Sequence, residues 1–176
     1  MAYLAKNKSN ILEFGMGQGK TTFTMAKNSP HNAKITTINF LESISSQITL
    51  DPKTDLKEGG FYNVEHTHLE GNHLRYHFEG TDVAYKIKMI NVDSKHLDLD
   101  PKVKYDLIFI DGAHIYSYVK SDSIKAFDSL AKGGIIVWDD YGMHTPDVYN
   151  YLEELSLTRK LIHISGTKLA IYKDNS

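Results

Sequence analysis

Three glycines alternate in Glu13-Phe14-Gly15-Met16-Gly17-Gln18-Gly19, directly after the short apolar run of residues 11–14. Residues 20–27 then read as a helix, so the glycines occupy a strand–turn–helix junction. Glycine there tolerates positive φ and lets backbone approach a ligand closely, while the N-terminus of the following helix favours negative charge. In a doubly wound α/β sheet the ligand sits beyond the carboxyl ends of the strands, where such a junction would lie.

The rest of the chain keeps that rhythm. Residues 34–40 are β-branched and read as a second strand, 85–91 as a third, and 105–110 form an almost continuous apolar run suited to a strand buried on both faces. Residues 118–131 carry Val119, Ile124, Phe127 and Leu130 at near-helical spacing, with Gly133-Gly134 expected to stop the helix. Residues 135–138 read as a strand, 147–155 as a helix, and 161–164 and 168–172 as terminal strands joined by a turn at Gly166. This alternation predicts an α/β, Rossmann-like, doubly wound sheet. With 176 residues, no internal repeat and no linker, residues 1–176 read as one domain.

Residues 45–81 break the pattern and read as a polar, His-rich insertion with Gly59-Gly60, His66, His68, His73 and His77. His73 and His77 have the i, i+4 spacing of two ligands on one helical face, but without a strict H-E-x-x-H motif the zinc signal is weak, and solvated loop residues explain them as well. Tyr62, Tyr76 and Phe78 line a substrate pocket or seat the insertion on the core.

Composition narrows the function. Twenty basic against 22 acidic residues give a formal charge of -2, which argues against a nucleic-acid partner. The chain has no cysteine, so disulfides, thiolate metal sites and a cysteine nucleophile are excluded. No apolar run approaches the roughly 20 residues that span a bilayer, and the start MAYLAKNKSN lacks a secretory core. A cytoplasmic protein with a small-molecule substrate and no membrane partner is expected, with homo-oligomerisation open.

Three ligands compete for the glycine turn. A P-loop nucleotide is suggested by Gly19-Lys20-Thr21-Thr22, but the position that should hold the first Walker glycine is Phe14. A dinucleotide fingerprint, G-x-G-x-x-G, wants glycine where Lys20 stands. S-adenosylmethionine is usually met by an acidic residue followed by G-x-G-x-G, which Glu13, Gly15, Gly17 and Gly19 match. A turn with no ligand is the remaining possibility. The second strand ends in Asn39, where a carboxylate normally accepts both ribose hydroxyls; an amide offers one acceptor oxygen. Glu42 substitutes if the loop is one turn longer.

Asp111 ends one strand, and Asp139 and Asp140 end the next. In a parallel sheet such ends can be neighbours, and close carboxylates resist joint ionisation unless a cation compensates them. Oxygen ligands favour Mg²⁺, Ca²⁺ or Mn²⁺. The alternative is a pair of turn-forming acids. His114, three residues after Asp111, is the candidate general base, with His144 a weaker one; the competing role for His114 is structural, capping the next helix or bonding Tyr116 or Asp140.

The stretches YDLIFIDGAHIYSYVKSD and LAKGGIIVWDDY, with FEGTDVAYKI, VDS and SGTKLAIY, resemble the metal-assisted class I methyltransferases. That group includes catechol and caffeoyl-coenzyme A O-methyltransferases and the cephalosporin-hydroxylase/rhamnosyl-methyltransferase branch. The resemblance covers about residues 11–172 except the His-rich segment. It implies a seven-stranded sheet, mostly parallel with an antiparallel last strand, and Asp93 and Ser94 near the adenine. It also implies Asp111, Asp139 and Asp140 as ligands of Mg²⁺ or another divalent cation, with Asp111 serving the cofactor edge and catalysis as well. The group's extra N-terminal helices, which cover the substrate, have no counterpart in the roughly ten residues before the first strand, so that cover is expected to be missing or supplied by another subunit. The expected activity is S-adenosylmethionine-dependent O-methylation of a small-molecule or sugar hydroxyl. A nucleotide-binding kinase or ATPase, an NAD-type enzyme and a non-catalytic cofactor binder stand as alternatives.

Overall fold

A computed structural model describes residues 1–40, 50–55 and 75–175. Its strands are β1 (Asn10–Phe14), β2 (Lys34–Asn39), β3 (Ile87–Asn91), β4 (Tyr105–Ile110), β5 (Leu130–Trp138), β6 (Leu161–His163) and β7 (Ala170–Lys173). The helices are α1 (Ala2–Ala5), α2 (Lys20–Asn28), α3 (Tyr116–Ser129) and α4 (Pro146–Ser156). All seven strands form one sheet in the order β3-β2-β1-β4-β5-β7-β6, and β7 alone runs antiparallel to its neighbours. The expected Rossmann-like architecture, including the antiparallel last strand, is the one observed.

Period-two alternation sends the central strands' side chains to opposite faces. Ile11, Ile35, Leu107, Phe109 and Val137 meet Ala5 of α1 and Met25 and Ala26 of α2 on one side. Leu12, Phe14, Ile108, Ile110, Ile136 and Trp138 meet Tyr116, Val119 and Ala126 of α3 and Val148, Tyr151 and Leu152 of α4 on the other. Burial on both faces is why these strands read as continuous apolar runs.

The register brings the strand ends level. Phe14 lies beside Ile38 and Ile110, and Ile110 beside Trp138. The ladder continues one residue further: Gly15 N–H donates to the Ile38 carbonyl at 3.1 Å, Asp111 N–H to Phe14 at 2.8 Å, and Asp139 N–H to Ile110 at 3.0 Å. The glycine turn, Asp111 and Asp139 thus leave the sheet along one edge.

Several boundaries differ from the sequence reading. The helix expected at 118–131 begins and ends two residues earlier, and Gly133-Gly134 lie inside β5 rather than past a helix end. Tyr105 pairs with Leu130 but Leu107 with Ile135, so the extra residues of β5 form an irregularity in which Gly133 takes φ +70°. Two carboxylates from elsewhere secure the start of α3: Asp147 accepts from Tyr116 N–H at 3.1 Å and Asp55 from Ser117 N–H at 2.8 Å. They answer backbone donors that the helix itself leaves free. The third strand starts at Ile87, because residues 84–86 form a 3₁₀ turn. Of the His-rich insertion, His66, His68 and His73 lie outside the described residues, as do Glu42 and Tyr62.

Candidate active site

The glycine turn is built as its sequence demands. Gly15, Gly17 and Gly19 have φ of +89°, +52° and +77°, a region costly for side-chain-bearing residues. At Gly15 a side chain would collide with the backbone of Asp111 and Gly112; at Gly17 it would meet nothing within 4 Å among the described residues. The turn therefore presses on β4 at its first glycine and opens onto free space at its second, as a ligand cradle does. Behind it Glu13 is fully buried. Thr22 and Thr37 hydroxyls both donate to its Oε2, while Oε1 has no partner. Burial pushes the Glu13 carboxyl up to about 7, with the threonines only partly opposing it. Lys20 is exposed at the first position of α2, and Thr22 is committed to Glu13.

Beyond β4 and β5, Asp111, His114 and Asp140 bring one ligand atom each within 4.8 Å of one another. His114 Nε2 stands 3.1 Å from Asp140 Oδ2 and 3.7 Å from Asp111 Oδ1, ion-pair contacts without hydrogen-bond geometry, and it has no hydrogen-bond partner among the described residues. Burial raises the Asp111 pKa against the pull of His114, with Asp139 and Asp140 adding repulsion. The Asp111 contact raises His114, burial opposes it, and Asp140 and Asp139 raise it further. Partial burial pushes Asp140 up, but Lys168, His114 and His144 together hold it below the usual carboxylate range. Lys168 Nζ lies 3.1 Å and His144 Nε2 3.4 Å from Asp140 Oδ1. Asp140 has φ +56°, the one positive value outside glycine among the described residues. Asp139 stands apart from the three: its Oδ1 accepts from Asp140 N–H at 2.8 Å, and it lines a small pocket with Asp111, His114 and Trp138.

The Asp111 and Asp140 carboxylates fit a divalent cation, with the His114 imidazole beside them, and the open cradle at Gly17 fits a cofactor. The other sequence candidates are also on this edge. Asn39 ends β2 with Nδ2 at 3.2 Å from Asn91 Oδ1 and 3.4 Å from the Tyr76 hydroxyl. Asp93 is buried and engaged by the protein itself, accepting from Lys95 N–H and the Tyr118 hydroxyl, both at 2.9 Å. Ser94 opens the 3₁₀ turn that follows and hydrogen-bonds Asp122. Burial lifts that buried carboxyl to about 7, and its Oδ1 has no hydrogen-bond partner. Sequence reasoning passed over Asp122 and Lys168 as site residues and offered Tyr76 only for a substrate pocket or for seating the insertion, not for the end of β2. Asp122 belongs to the quoted IDGAH segment's helix, but only the fold shows that it faces Gly112.

The strand order, the glycine cradle and the acidic edge define a Rossmann-like transferase domain of the methyltransferase type. A methyltransferase-domain family profile matches residues 12–141, and the chain belongs to that family. Solved structures share the fold over nearly the whole chain. The O-methyltransferase TomG from Streptomyces achromogenes, in complex with SAM, is 16% identical with a TM-score of 0.60, covering 99% of this chain and 79% of its own. An O-methyltransferase from Bacillus cereus in complex with SAH is 13% identical with a TM-score of 0.59, covering 98% and 80%. An SAH-bound methyltransferase from Podospora anserina is 14% identical with a TM-score of 0.60, covering 95% and 71%. No curated protein matches the sequence.

Proposed function

We propose that the protein is an S-adenosylmethionine-dependent O-methyltransferase acting on a small-molecule or sugar hydroxyl, with Mg²⁺ or a similar divalent cation held by Asp111 and Asp140. The observation that carries this reading is the convergence of Asp111, His114 and Asp140 on the same sheet edge as the open glycine cradle. The SAM- and SAH-bound relatives support the cofactor.

When bound, the cofactor supplies an activated methyl carbon, and the cation neutralises the carboxylates and lowers the pKa of the acceptor hydroxyl. The backbone of Gly15–Gly19 leaves room for the cofactor against β1, and Asn39 offers its Oδ1 to the ribose. The hydroxyl proton goes to His114, whose Nε2 faces the Asp111 and Asp140 carboxylates at 3.7 Å and 3.1 Å. With Asp111 and Asp140 engaged by a cation, their pull on His114 would weaken and burial would favour the neutral imidazole that accepts a proton. Asp139 holds the strained turn of Asp140 through the Asp140 N–H.

Thermal shift with S-adenosylmethionine, S-adenosylhomocysteine, ATP and NAD, each with and without Mg²⁺, tests the cofactor. Stabilisation by ATP alone overturns the methyltransferase reading. Methyl transfer from labelled cofactor to a panel of catechols and sugars, with and without chelator, tests the cation. Turnover that survives chelation and Asp140→Asn removes the metal while leaving the methyltransferase.

A further inference from the structure

Asn39 is not alone at the end of β2. Both amide hydrogens are directed at protein oxygens, Asn91 Oδ1 at 3.2 Å and the Tyr76 hydroxyl at 3.4 Å. That orientation leaves Asn39 Oδ1 as the acceptor facing away from both, and it leaves the Tyr76 hydroxyl free to donate its own proton. Tyr76 is fixed there by its surroundings. Its ring stacks on Phe78 with centroids 5.6 Å apart and planes 10° from parallel. Phe78 in turn abuts Gly19, where a Cβ would stand 2.8 Å from the Phe78 ring, and His77 N–H donates to the Gln18 carbonyl at 3.1 Å. Residues 76–78 are therefore bound to the glycine turn itself, and they carry a phenol to the residue that ends β2.

We infer that Tyr76 is a cofactor-binding residue: its hydroxyl and Asn39 Oδ1 together engage the two vicinal hydroxyls of the cofactor ribose. This rests on the methyltransferase reading above and deepens it. A carboxylate has two acceptor oxygens and serves a diol unaided, whereas an amide has one. The phenol makes up the difference, and the Asn39 Nδ2 contact orients it. The pairing also explains why an amide at this position is compatible with a working pocket: a carboxylate has no hydrogen to offer Asn91 Oδ1 or the phenol oxygen, while Nδ2 has two.

Isothermal titration of the full chain with S-adenosylhomocysteine tests the inference without needing an acceptor. Tyr76→Phe keeps the ring and its stacking and removes only the hydroxyl; the dissociation constant is expected to rise at least fivefold. Asn39→Asp added to Tyr76→Phe restores affinity to within about twofold of wild type, because one carboxylate serves both hydroxyls once the Asn91 amide turns its Nδ2 towards it. With 2′-deoxy and 3′-deoxy S-adenosylhomocysteine, the Tyr76→Phe penalty vanishes for one analogue and persists for the other. Unchanged affinity in Tyr76→Phe, or an equal penalty with all three ligands, overturns the role given to the hydroxyl. Absence of binding by the wild-type chain instead overturns the methyltransferase reading on which the inference stands.

Discussion

Gly15 turns against the backbone of Asp111: a Cβ added to the glycine would overlap the Asp111 carbonyl and stand 2.6 Å from Gly112 Cα. The two residues end adjacent parallel strands, and the Asp111 N–H donates to the residue just before the glycine. The cradle and the acidic cluster are consequently one rigid unit, since neither strand end can shift without the other.

That coupling separates two alanine substitutions. Gly15→Ala combines strain at φ +89° with a backbone collision and should cost about 3 kcal/mol or more. Gly17→Ala has φ +52° and open space, so its fold cost is about 1 kcal/mol. Its methyl nevertheless enters the cradle, and S-adenosylhomocysteine affinity should drop by roughly tenfold. Urea denaturation and calorimetric titration of the two variants should show this crossover.

Glu13 and Asp122 give the protein an unusual pH response. Both folded-state values, about 7, lie above the ordinary 4.5 and 3.8, chiefly because burial penalises the charge. Between those limits the folded chain binds more protons than the unfolded one, so stability falls as pH rises from about 4 to 7. Each group contributes on the order of a few kcal/mol to that loss. Glu13→Gln and Asp122→Asn mimic the protonated forms. Each should match wild type near pH 5 and exceed it at pH 8 in denaturant midpoint; a flat wild-type profile would contradict the assignment.

Trp138 ties the acidic edge to the core. It is fully buried at the end of β5, one residue before Asp139, and its Nε1–H donates to the Ser123 hydroxyl of α3 at 2.9 Å. Trp138→Ala should cost about 3–5 kcal/mol. Because it loosens the strand end that carries Asp139 and Asp140, it should also weaken Mn²⁺ binding at temperatures where the variant is still folded. Ser123→Ala, which keeps the indole but leaves its buried N–H without this acceptor, should lose about 1–3 kcal/mol and leave Mn²⁺ binding intact.

Much of this architecture was legible because it is written in local patterns. The apolar runs of β1, β4 and β5 and the glycine turn each specify their conformation from neighbouring residues. Gly133-Gly134 misled because a glycine pair marks a helix stop and a bulged strand equally well, and only the pairing of Leu130 with Tyr105 decides between them. Site residues contributed by distant elements were harder. Asp111 and Asp140 stood out as strand ends, but Lys168 reaches Asp140 only because β7 folds back beside β5. Tyr76 had no motif to announce it; its meaning depends on Phe78 packing on Gly19.

Lys168 supplies the last prediction. Its ammonium lies 3.1 Å from Asp140 Oδ1, where it is 58% exposed while the carboxylate is 18% exposed. A divalent cation held as proposed would have to share that carboxylate with the ammonium, so Lys168 would oppose its binding by charge and by occupancy. An exposed pair of this kind contributes about 1 kcal/mol or less. Lys168→Gln should therefore raise Mn²⁺ affinity by no more than roughly fivefold. Asp140→Asn, which removes the ligand charge itself, should lower it by more than tenfold. Asp111 and Asp140 raise the His114 pKa, so a protonated His114 and a bound cation would compete for the same carboxylates and binding in the wild type should weaken as pH falls. Electron paramagnetic resonance of Mn²⁺ titrated into the three proteins at pH 6 and pH 8 measures all of these effects. A Lys168→Gln affinity below that of wild type would show that the lysine helps to build the site rather than competing for it.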